Sequence, residues 1–353
     1  MVGPDGKLPL PWLAPVLHHT LRSQHAHALL LHGPQGVGQF ELALTLAQAW
    51  LCEAEAPASK PCGQCASCKL VNAHSHPDLL VLLPEAMQLA LGWNAAEGEE
   101  GGAERVSKAK PSQEIKVEAV RRAVAFALIT SARGRGKVVV LHPAERMNGI
   151  SANTLLKTLE EPVGNTRFVL GCAAPDALLP TIRSRCQAVP LRLPAADEAL
   201  GWLAEQGVEN AEVLLAATGG QPQEALAWSQ QGIDASLWNR LPALVAQGIS
   251  QPLVAWPLPR VVDALQKLCH DAASVACGGA PRYFAAATLG QRAADPAALH
   301  AWMAELRRIA RHAEHPWNSG LVVESLVQQG QRALAPRAKS DASGRSVSVH
   351  SRA

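Results

Sequence analysis

Short apolar runs alternate with amphipathic stretches over the first half of the chain. The apolar runs have the length and composition of buried strands, and they lie at residues 29–31, 79–83, 138–141 and 168–170. Between two of them, apolar residues recur at helical spacing, as at Val117, Val120, Val124 and Leu128. A further helix is predicted at 151–161, where Pro162 stops it. Strands that alternate with helices predict a parallel sheet covered on both faces.

The second half of the chain has a helical pattern. It extends from 197 to about 229, with a break at 218–222 between two helices, and from about 241 to 334, where prolines interrupt it. Two segments lack periodicity. Residues 92–113 are rich in Gly, Glu, Ala and Lys and predict a mobile loop, while residues 336–353 are rich in Ser, Ala and Arg and predict a disordered tail.

Composition narrows the classes of protein that the pattern allows. The 353 residues suffice for two or three domains, and a formal charge of +2 argues against a uniformly basic surface that wraps nucleic acid. Residues 1–13 lack the basic and apolar regions of a signal peptide, and residues 241–259 contain four prolines, so no membrane span is expected. We therefore expect a cytoplasmic protein whose eight cysteines are mostly reduced.

A glycine-rich loop follows the first predicted strand. Between Gly33 and Gly38 the glycine spacing is that of a Walker A loop, in which backbone N–H groups wrap phosphates at a helix N-terminus. A working loop continues with Lys, which neutralises phosphate charge, and with Ser or Thr, which ligates Mg²⁺. Gln39 and Phe40 occupy these two positions. The loop is therefore degenerate and we expect no functional ATP site.

A second element of ATP chemistry is also missing. The apolar strand at 138–141 should end in acidic residues that hold Mg²⁺ and polarise water, but His142 and Pro143 follow it. A different interpretation is that the loop is simply a tight turn between strand and helix that never bound phosphate. Both interpretations predict that this chain does not hydrolyse ATP.

Four cysteines have the spacing of a metal site. Cys62, Cys65 and Cys68 follow one another at two-residue intervals, and nine residues separate Cys52 from Cys62. Four thiolates close a tetrahedral site with no open position for chemistry, so this spacing predicts a structural Zn²⁺. The alternatives are a reduced Cys-rich loop without metal, and replacement of Cys52 as the fourth ligand by His74 or His76. The histidines 18, 19, 25 and 27 lack Cys or carboxylate neighbours, and we expect them on a solvated helix surface.

Three later segments carry recognisable motifs: residues 153–162 have the sequence NTLLKTLEEP, residues 168–170 FVL and residues 178–186 LLPTIRSRC. Together they resemble the clamp-loader branch of the AAA+ ATPases. The cysteine cluster, the following His76-Pro77-Asp78 and the lysine-less loop narrow the resemblance to a subunit without ATPase activity of its own.

The resemblance implies a role for the triplet Ser184-Arg185-Cys186. In the family the arginine of this signature reaches into the ATP site of the neighbouring subunit. A guanidinium suits that role because it stays charged and binds phosphate oxygens in a bidentate way. The alternative is that Arg185, or its neighbour Arg183, makes an ordinary salt bridge.

The resemblance also locates two sensor positions. The first falls near Cys172 and Ala173, and the second, where active relatives have an arginine, is Gln223. Neither Cys172 nor Ala173 can contact a γ-phosphate usefully. Each element for using ATP within the chain is weakened, whereas the element for acting on a neighbour is intact.

The predicted fold class is an α/β P-loop NTPase-like (AAA+) domain at 1–193 with a zinc insertion at 52–68. A small helical lid follows at 194–236, then an all-helical C-terminal collar domain at 237–335 and the tail at 336–353. The resemblance implies a heteropentamer with ATPase motor subunits and a clamp-opening subunit. That assembly places a sliding clamp on primed DNA, and this chain meets the clamp only indirectly.

Two other functions are open at this stage. An active ATPase of the motor type predicts tight Mg–ATP binding by the isolated chain. A zinc-dependent nucleic-acid-binding protein acting alone predicts salt-sensitive DNA binding that is lost when Cys65 is changed. The near-neutral charge counts against the second.

Overall fold

The structure is a computed structural model, and it describes residues 1–23, 26–56, 60–93, 111–289, 294–312 and 317–336. The described residues form two compact units. One comprises Met1–Gln206 with Gln221–Glu224, and the other comprises Gly207–Gly220 with the described residues from Ala225 onward. The predicted tail beyond residue 336, most of the predicted mobile loop (94–110) and His25 lie outside the described residues.

A five-stranded parallel sheet forms the centre of the first unit. Its strands are β1 Ala28–His32, β2 Leu79–Leu82, β3 Lys137–Leu141, β4 Thr166–Cys172 and β5 Gln187–Pro190, in the spatial order β2-β3-β4-β1-β5. The parallel sheet predicted from the apolar runs is confirmed. β5 has no apolar run, because it is an edge strand whose residues are mostly exposed, and the sequence pattern did not reveal it.

Eight helices accompany the sheet in the described part of the first unit. They are α1 Ala14–Ser23, α2 Gln39–Leu51, α3 Ala66–Asn72, α4 Glu85–Ala90, α5 Val117–Leu128, α6 Gly149–Glu160, α7 Pro180–Arg183 and α8 Ala196–Glu205. Helices α2 and α5 contact the strands of the sheet directly. On one face, Leu30, Val139 and Phe168 join a core with residues of α5 and α6. Their neighbours along the strands are also buried, and α2 packs on β1, β3 and β4. Burial on both faces explains the continuous apolar runs.

The second unit is helical. It contains α9 Ala211–Ala217, most of α10 Pro222–Gln230, α11 Ala235–Gln247, α12 Gln251–Val254, α13 Leu258–Ala276, α14 Ala286–Leu289, α15 Pro296–Arg311 and α16 Ser319–Ala333. Trp238 lies in its core and stacks on Phe284, with 4.5 Å between the ring centroids. A side chain at Gly330 would come within 2.5 Å of Trp302, so glycine permits the close packing of α15 and α16.

Helix α11 differs from its prediction. It begins at Ala235 because Asp234 caps it and accepts a hydrogen bond from the Leu237 backbone at 2.8 Å. Pro242 lies inside the helix and is buried there, instead of interrupting it.

No helix among the described residues is long and apolar enough to cross a membrane. The division into an α/β domain, a lid and a collar stays a prediction.

Asp78 ties the start of the sheet to a distant loop. Its side chain is completely buried, and its carboxylate accepts hydrogen bonds from the backbone of Ala132 at 2.7 Å, the backbone of Arg133 at 2.9 Å and the hydroxyl of Ser131 at 3.0 Å. Burial alone would raise the pKa of Asp78, but these hydrogen bonds outweigh burial and lower it. The carboxylate therefore holds the turn that leads into β3.

Replacing Asp78 with Ala removes a buried acceptor that holds two backbone N–H groups and a hydroxyl. We expect the free energy of unfolding to fall by about 2–4 kcal/mol, measured as a lower urea midpoint. Asp176→Ala is the control, because the Asp176 side chain is 95% exposed and should change stability by less than about 0.5 kcal/mol. Equal midpoints for the two variants would contradict the role given to Asp78.

Candidate functional site

The carboxyl ends of β1, β3 and β4 meet at one edge of the sheet. Because β4 lies between β1 and β3, the loop after His32, the residue after Leu141 and the end of β4 at Cys172 are neighbours. The Gly33 backbone donates to the Cys172 carbonyl at 3.4 Å, which closes this edge. In open parallel sheets, ligands bind at this edge. The glycine-rich loop is therefore in the position of a nucleotide site.

The loop adopts a conformation that needs its glycines. Gly38 has φ = 108°, and a side chain there would come within 2.6 Å of Leu10. Gln39 begins α2 and is buried, and its side-chain amide donates to the carbonyls of Gly33 at 2.9 Å and Pro34 at 2.8 Å. The residue at the lysine position thus binds the loop's own backbone and brings no charge.

Phe40 and His142 contact each other. Their rings stack with centroids 5.2 Å apart and planes 20° apart, and Trp93 packs against the Phe40 edge at 6.0 Å. These are the two positions where a working site has its Mg²⁺-ligating hydroxyl and its acidic residue. Burial lowers the pKa of His142, so its ring is neutral near pH 7. An aromatic pair therefore occupies the two positions at which the sequence motif of a working site has metal ligands.

The charged groups that act on His142 are carboxylates, Glu41 and Glu145. Glu145 accepts a hydrogen bond from the Ala173 backbone at 2.9 Å, and Glu41 accepts one from the side-chain amide of Gln223 at 2.7 Å. Both predicted sensor positions are thus bound to acidic residues. Negative charge at these places opposes the binding of phosphates.

The four cysteines of the predicted metal site come together. Their sulfur atoms all lie within 4.8 Å of one another, and the Cys52–Cys65 and Cys62–Cys68 pairs are 3.9 Å and 4.0 Å apart. A tetrahedral site with Zn–S bonds of about 2.3 Å has S···S separations of roughly 3.8 Å. The donor set and its dimensions are compatible with a structural zinc site.

Backbone N–H groups point at these sulfurs. Cys65 Sγ accepts from Cys68 at 3.4 Å and from Glu53 at 3.5 Å, and Cys62 Sγ accepts from the Cys65 backbone at 3.4 Å. Hydrogen bonds from the Cys65 and Gln64 backbones lower the pKa of Cys62 to about 6, whereas burial raises the pKa of Cys52 and Cys68. A bound cation would favour the ionised form of all four thiols, as metal binding to cysteine requires.

Neither histidine takes part in the cluster. His76 Nδ1 accepts from the Asp78 backbone at 3.0 Å, so Nε2 carries the proton and donates to the Ser67 hydroxyl at 2.7 Å. Ser67 in turn donates to the Leu51 carbonyl at 2.6 Å. His74 stacks on Trp93. The alternative in which His74 or His76 replaces Cys52 as a ligand is therefore not supported by the geometry.

The other histidines are mixed. His18 and His19 are exposed on α1, as predicted. His27 is not on a helix: it precedes β1, is half-buried, and its Nε2 lies 2.6 Å from the Leu159 carbonyl. The prediction was wrong for His27 because a strand begins directly after it.

The Ser184-Arg185-Cys186 triplet lies between α7 and β5. The Arg185 guanidinium pairs with Glu160 at the end of α6: Nε donates to Glu160 Oε1 at 2.5 Å, and Nη2 contacts the same oxygen. Nη1 donates to the Thr181 carbonyl at 2.9 Å. The hydroxyl of Ser184 donates to the same carbonyl at 3.2 Å, and burial raises the pKa of Cys186 to about 12, so its thiol is uncharged.

Both arginines of this region form ion pairs in the chain alone. Arg183 pairs with Asp176 at 3.1 Å, and Arg185 with Glu160. The salt bridge given above as the alternative is therefore present. It does not test contact with a neighbouring subunit, and the finger role of Arg185 stays a prediction.

Arg185 lies at the end of the sheet where the strands begin, and the chain's own phosphate loop lies at the end where they finish. Arg185 comes before β5, whose first residue Gln187 aligns with Leu29, whereas the loop begins after His32. At about 3.3 Å per residue, Gln187 at the start of β5 is roughly 13 Å from Gly33 along the strand direction, and Arg185 lies in the turn before it. Arg185 cannot serve this loop.

Two acidic residues that the sequence did not single out are important in the structure. Glu160 holds Arg185, and Glu53, next to Cys52, accepts from Arg133 Nε at 2.9 Å and so links the cysteine cluster to the turn before β3. The only sequence signal for Glu160 was its place in the motif at 153–162. Glu53 gave none, because its partner is 80 residues away.

Comparisons with known proteins identify a family by sequence. The family model described as DNA polymerase III, delta subunit, matches residues 13–195. DNA polymerase III subunit delta′ of Pseudomonas aeruginosa is 40% identical over 254 residues, which cover 69% of this chain and 70% of that one, and its counterpart from Escherichia coli is 32% identical over 75% of this chain and 78% of its own.

A solved structure, of a DNA polymerase III gamma-subunit-related protein from Thermotoga maritima, is similar with a TM-score of 0.46 and 15% identity, over 91% of this chain and 99% of that one. The sequence matches, together with the cysteine cluster and the degenerate loop, lead to one conclusion. The chain belongs to the family of DNA polymerase III delta′ subunits.

Proposed function

We propose that this chain is a non-hydrolysing subunit of a DNA polymerase III clamp loader and supplies Arg185 to the ATP site of a neighbouring subunit. In this proposal it joins ATPase motor subunits and the clamp-opening delta subunit in a heteropentamer. The assembly loads the sliding clamp onto primed DNA during replication. The chain contributes a rigid surface and an arginine, and no ATP chemistry of its own.

The contact of Phe40 with His142 carries the first half of the proposal. A side chain that ligates Mg²⁺ must present oxygen to the metal, and here two rings face each other instead. Glu41 and Glu145 add negative charge nearby, and Gln39 brings no cation to offset it. Binding Mg–ATP would require the rings to separate and phosphates to approach two carboxylates. These features support an ATP site that cannot work.

The position of Arg185 supports the second half. It lies where the strands begin, whereas its own loop lies where they end. It also precedes β5, an exposed strand at the side of the sheet. The Arg185 side chain is 31% exposed, so another chain can reach it. A guanidinium offered in this way can stabilise the charge that develops on a transferring phosphoryl group, an effect of about 10³–10⁵ in rate. Arg185 is thus the group through which this chain acts.

We further propose that Zn²⁺ binds Cys52, Cys62, Cys65 and Cys68 and has a structural role. Four thiolates would fill its coordination shell, so the metal would activate no water. The residues of the chain do the rest. Cys52 ends α2 and Cys65 caps α3, so the site joins two helices, while Glu53 and Arg133 link it to the sheet.

The isolated chain should not bind Mg–ATP. Calorimetric titration of Mg–ATP into the purified chain is expected to give no saturable heat, because no cation or hydroxyl faces the phosphates. An intact motor subunit, titrated in the same buffer, provides the positive control. Tight binding by this chain would support an active ATPase and contradict the proposal.

Replacing Arg185 with Ala should slow ATP hydrolysis by a neighbour. The sharpest measurement uses a reconstituted loader whose other ATP sites are disabled at their phosphate-loop lysines. DNA- and clamp-stimulated hydrolysis should then fall at least about tenfold, or about 1.4 kcal/mol in barrier, with assembly intact. Arg183→Ala is the matched control and should leave the rate unchanged. An unchanged rate for Arg185→Ala would reduce this chain to a scaffold.

Removing the metal should destabilise the first unit. The purified chain should contain about one Zn²⁺, and Cys65→Ser should lose it and unfold at a lower temperature, because a buried tetrahedral site loses a ligand. Cys277→Ser is the control, since Cys277 is exposed and outside the cluster. If the wild type contains no metal and melts at the same temperature as Cys65→Ser, the zinc proposal is wrong and the four cysteines form a reduced Cys-rich loop.

A further inference from the structure

Glu160 holds the Arg185 guanidinium within this chain. Two of the three guanidinium nitrogens contact one oxygen of Glu160, and the third contacts the Thr181 carbonyl and, at 3.4 Å, the Ser184 hydroxyl. A guanidinium has five N–H groups in a fixed plane. With most of them engaged inside the chain, Arg185 cannot also bind phosphate oxygens through both arms of its fork.

The two possible partners of Arg185 exclude each other electrostatically. A guanidinium that remains paired with a carboxylate carries little net charge toward a phosphate, and a carboxylate kept near the γ-phosphate would repel it. Glu160 must therefore release Arg185 before the arginine can stabilise the neighbour's reaction. Replacing the Glu160 carboxylate with a phosphate as the partner of Arg185 costs little free energy, because both side chains are half-exposed and surface ion pairs contribute little.

We propose that Glu160 is a latch: it holds Arg185 away from the neighbouring ATP site until a triphosphate there outcompetes the carboxylate. This inference rests on the proposed function of Arg185 and adds a positioning residue to it. Glu160 touches neither nucleotide nor metal, and it acts only through Arg185. Its place at the end of α6, a helix that packs against α7, sets the resting position of the guanidinium.

The test is Glu160→Gln in a reconstituted loader whose remaining ATP sites are disabled. The amide keeps the shape of the side chain and removes its charge. The value of kcat/KM for ATP should rise by about two- to fivefold, the fold-change that corresponds to an exposed ion pair. A merely structural role predicts no gain. The gain should shrink at high salt, which weakens the latch in the wild type.

Two further variants make the result decisive. In an Arg185→Ala background, Glu160→Gln should have no effect, because the latch has nothing to hold. Asp176→Asn breaks the neighbouring exposed pair with Arg183 and should leave kcat/KM at the wild-type value.

Each other outcome overturns the latch. A fall in kcat/KM for Glu160→Gln would make Glu160 a support that orients Arg185 for the reaction, and an unchanged value would make it an ordinary surface partner. If Arg185→Ala itself leaves hydrolysis unchanged, the proposed finger fails and the latch fails with it. If only Arg185→Ala lowers the rate, the finger stands without the latch.

Discussion

The stacking of Phe40 on His142 is the contact on which the proposed loss of ATP chemistry depends. A parallel sheet brings the residues after β1 and β3 to one edge, and in this chain both of those positions carry rings that satisfy each other. Once the rings are in contact, no oxygen ligand for Mg²⁺ is left at either position. Under the proposed function, the parallel sheet and its glycine-rich loop remain, while the loop binds no Mg–ATP.

Under the proposed function, the same sheet also lets the chain take part in ATP hydrolysis by a neighbour. A parallel sheet has one side where all strands begin and another where all strands end. The Ser184-Arg185-Cys186 triplet lies where the strands begin, and the loop lies where they end. A loss at the loop therefore leaves the triplet unaffected. Under the proposed function, substitutions at the loop and at the triplet can occur independently. The loop loses its ATP ligands, and the triplet keeps an arginine for a neighbour.

Sequence patterns predicted the parts of this structure that depend on local signals. Buried strands such as Val138–Leu141 have continuous apolar runs, and cysteine spacing indicated the cluster that the structure brings together. The features that the sequence pattern missed are short or depend on a single residue. β5 is a short edge strand without an apolar pattern. The start of α11 is marked by its N-cap Asp234, but Pro242 inside the helix pointed to an interruption.

The partners of charged side chains were the least predictable feature. Asp78 was visible as part of a motif, but its acceptor role toward residues 131–133 depends on the turn that the folded chain places beside it. Glu160 and Arg185 are 25 residues apart and meet because α6 and α7 pack together. Spacing along the chain carries no signal for such pairs, so candidate residues could be named from sequence while their geometry could not.

The most direct test of the central claim is a cryo-electron microscopy structure of the assembled loader with a non-hydrolysable ATP analogue and primed DNA. The account predicts no nucleotide in the loop at Gly33–Gly38 of this chain, with Phe40 still stacked on His142. It also predicts the Arg185 guanidinium at hydrogen-bond distance from the γ-phosphate of a neighbour. Nucleotide bound in this chain's own loop, or Arg185 still on Glu160 beside an occupied neighbouring site, would contradict it.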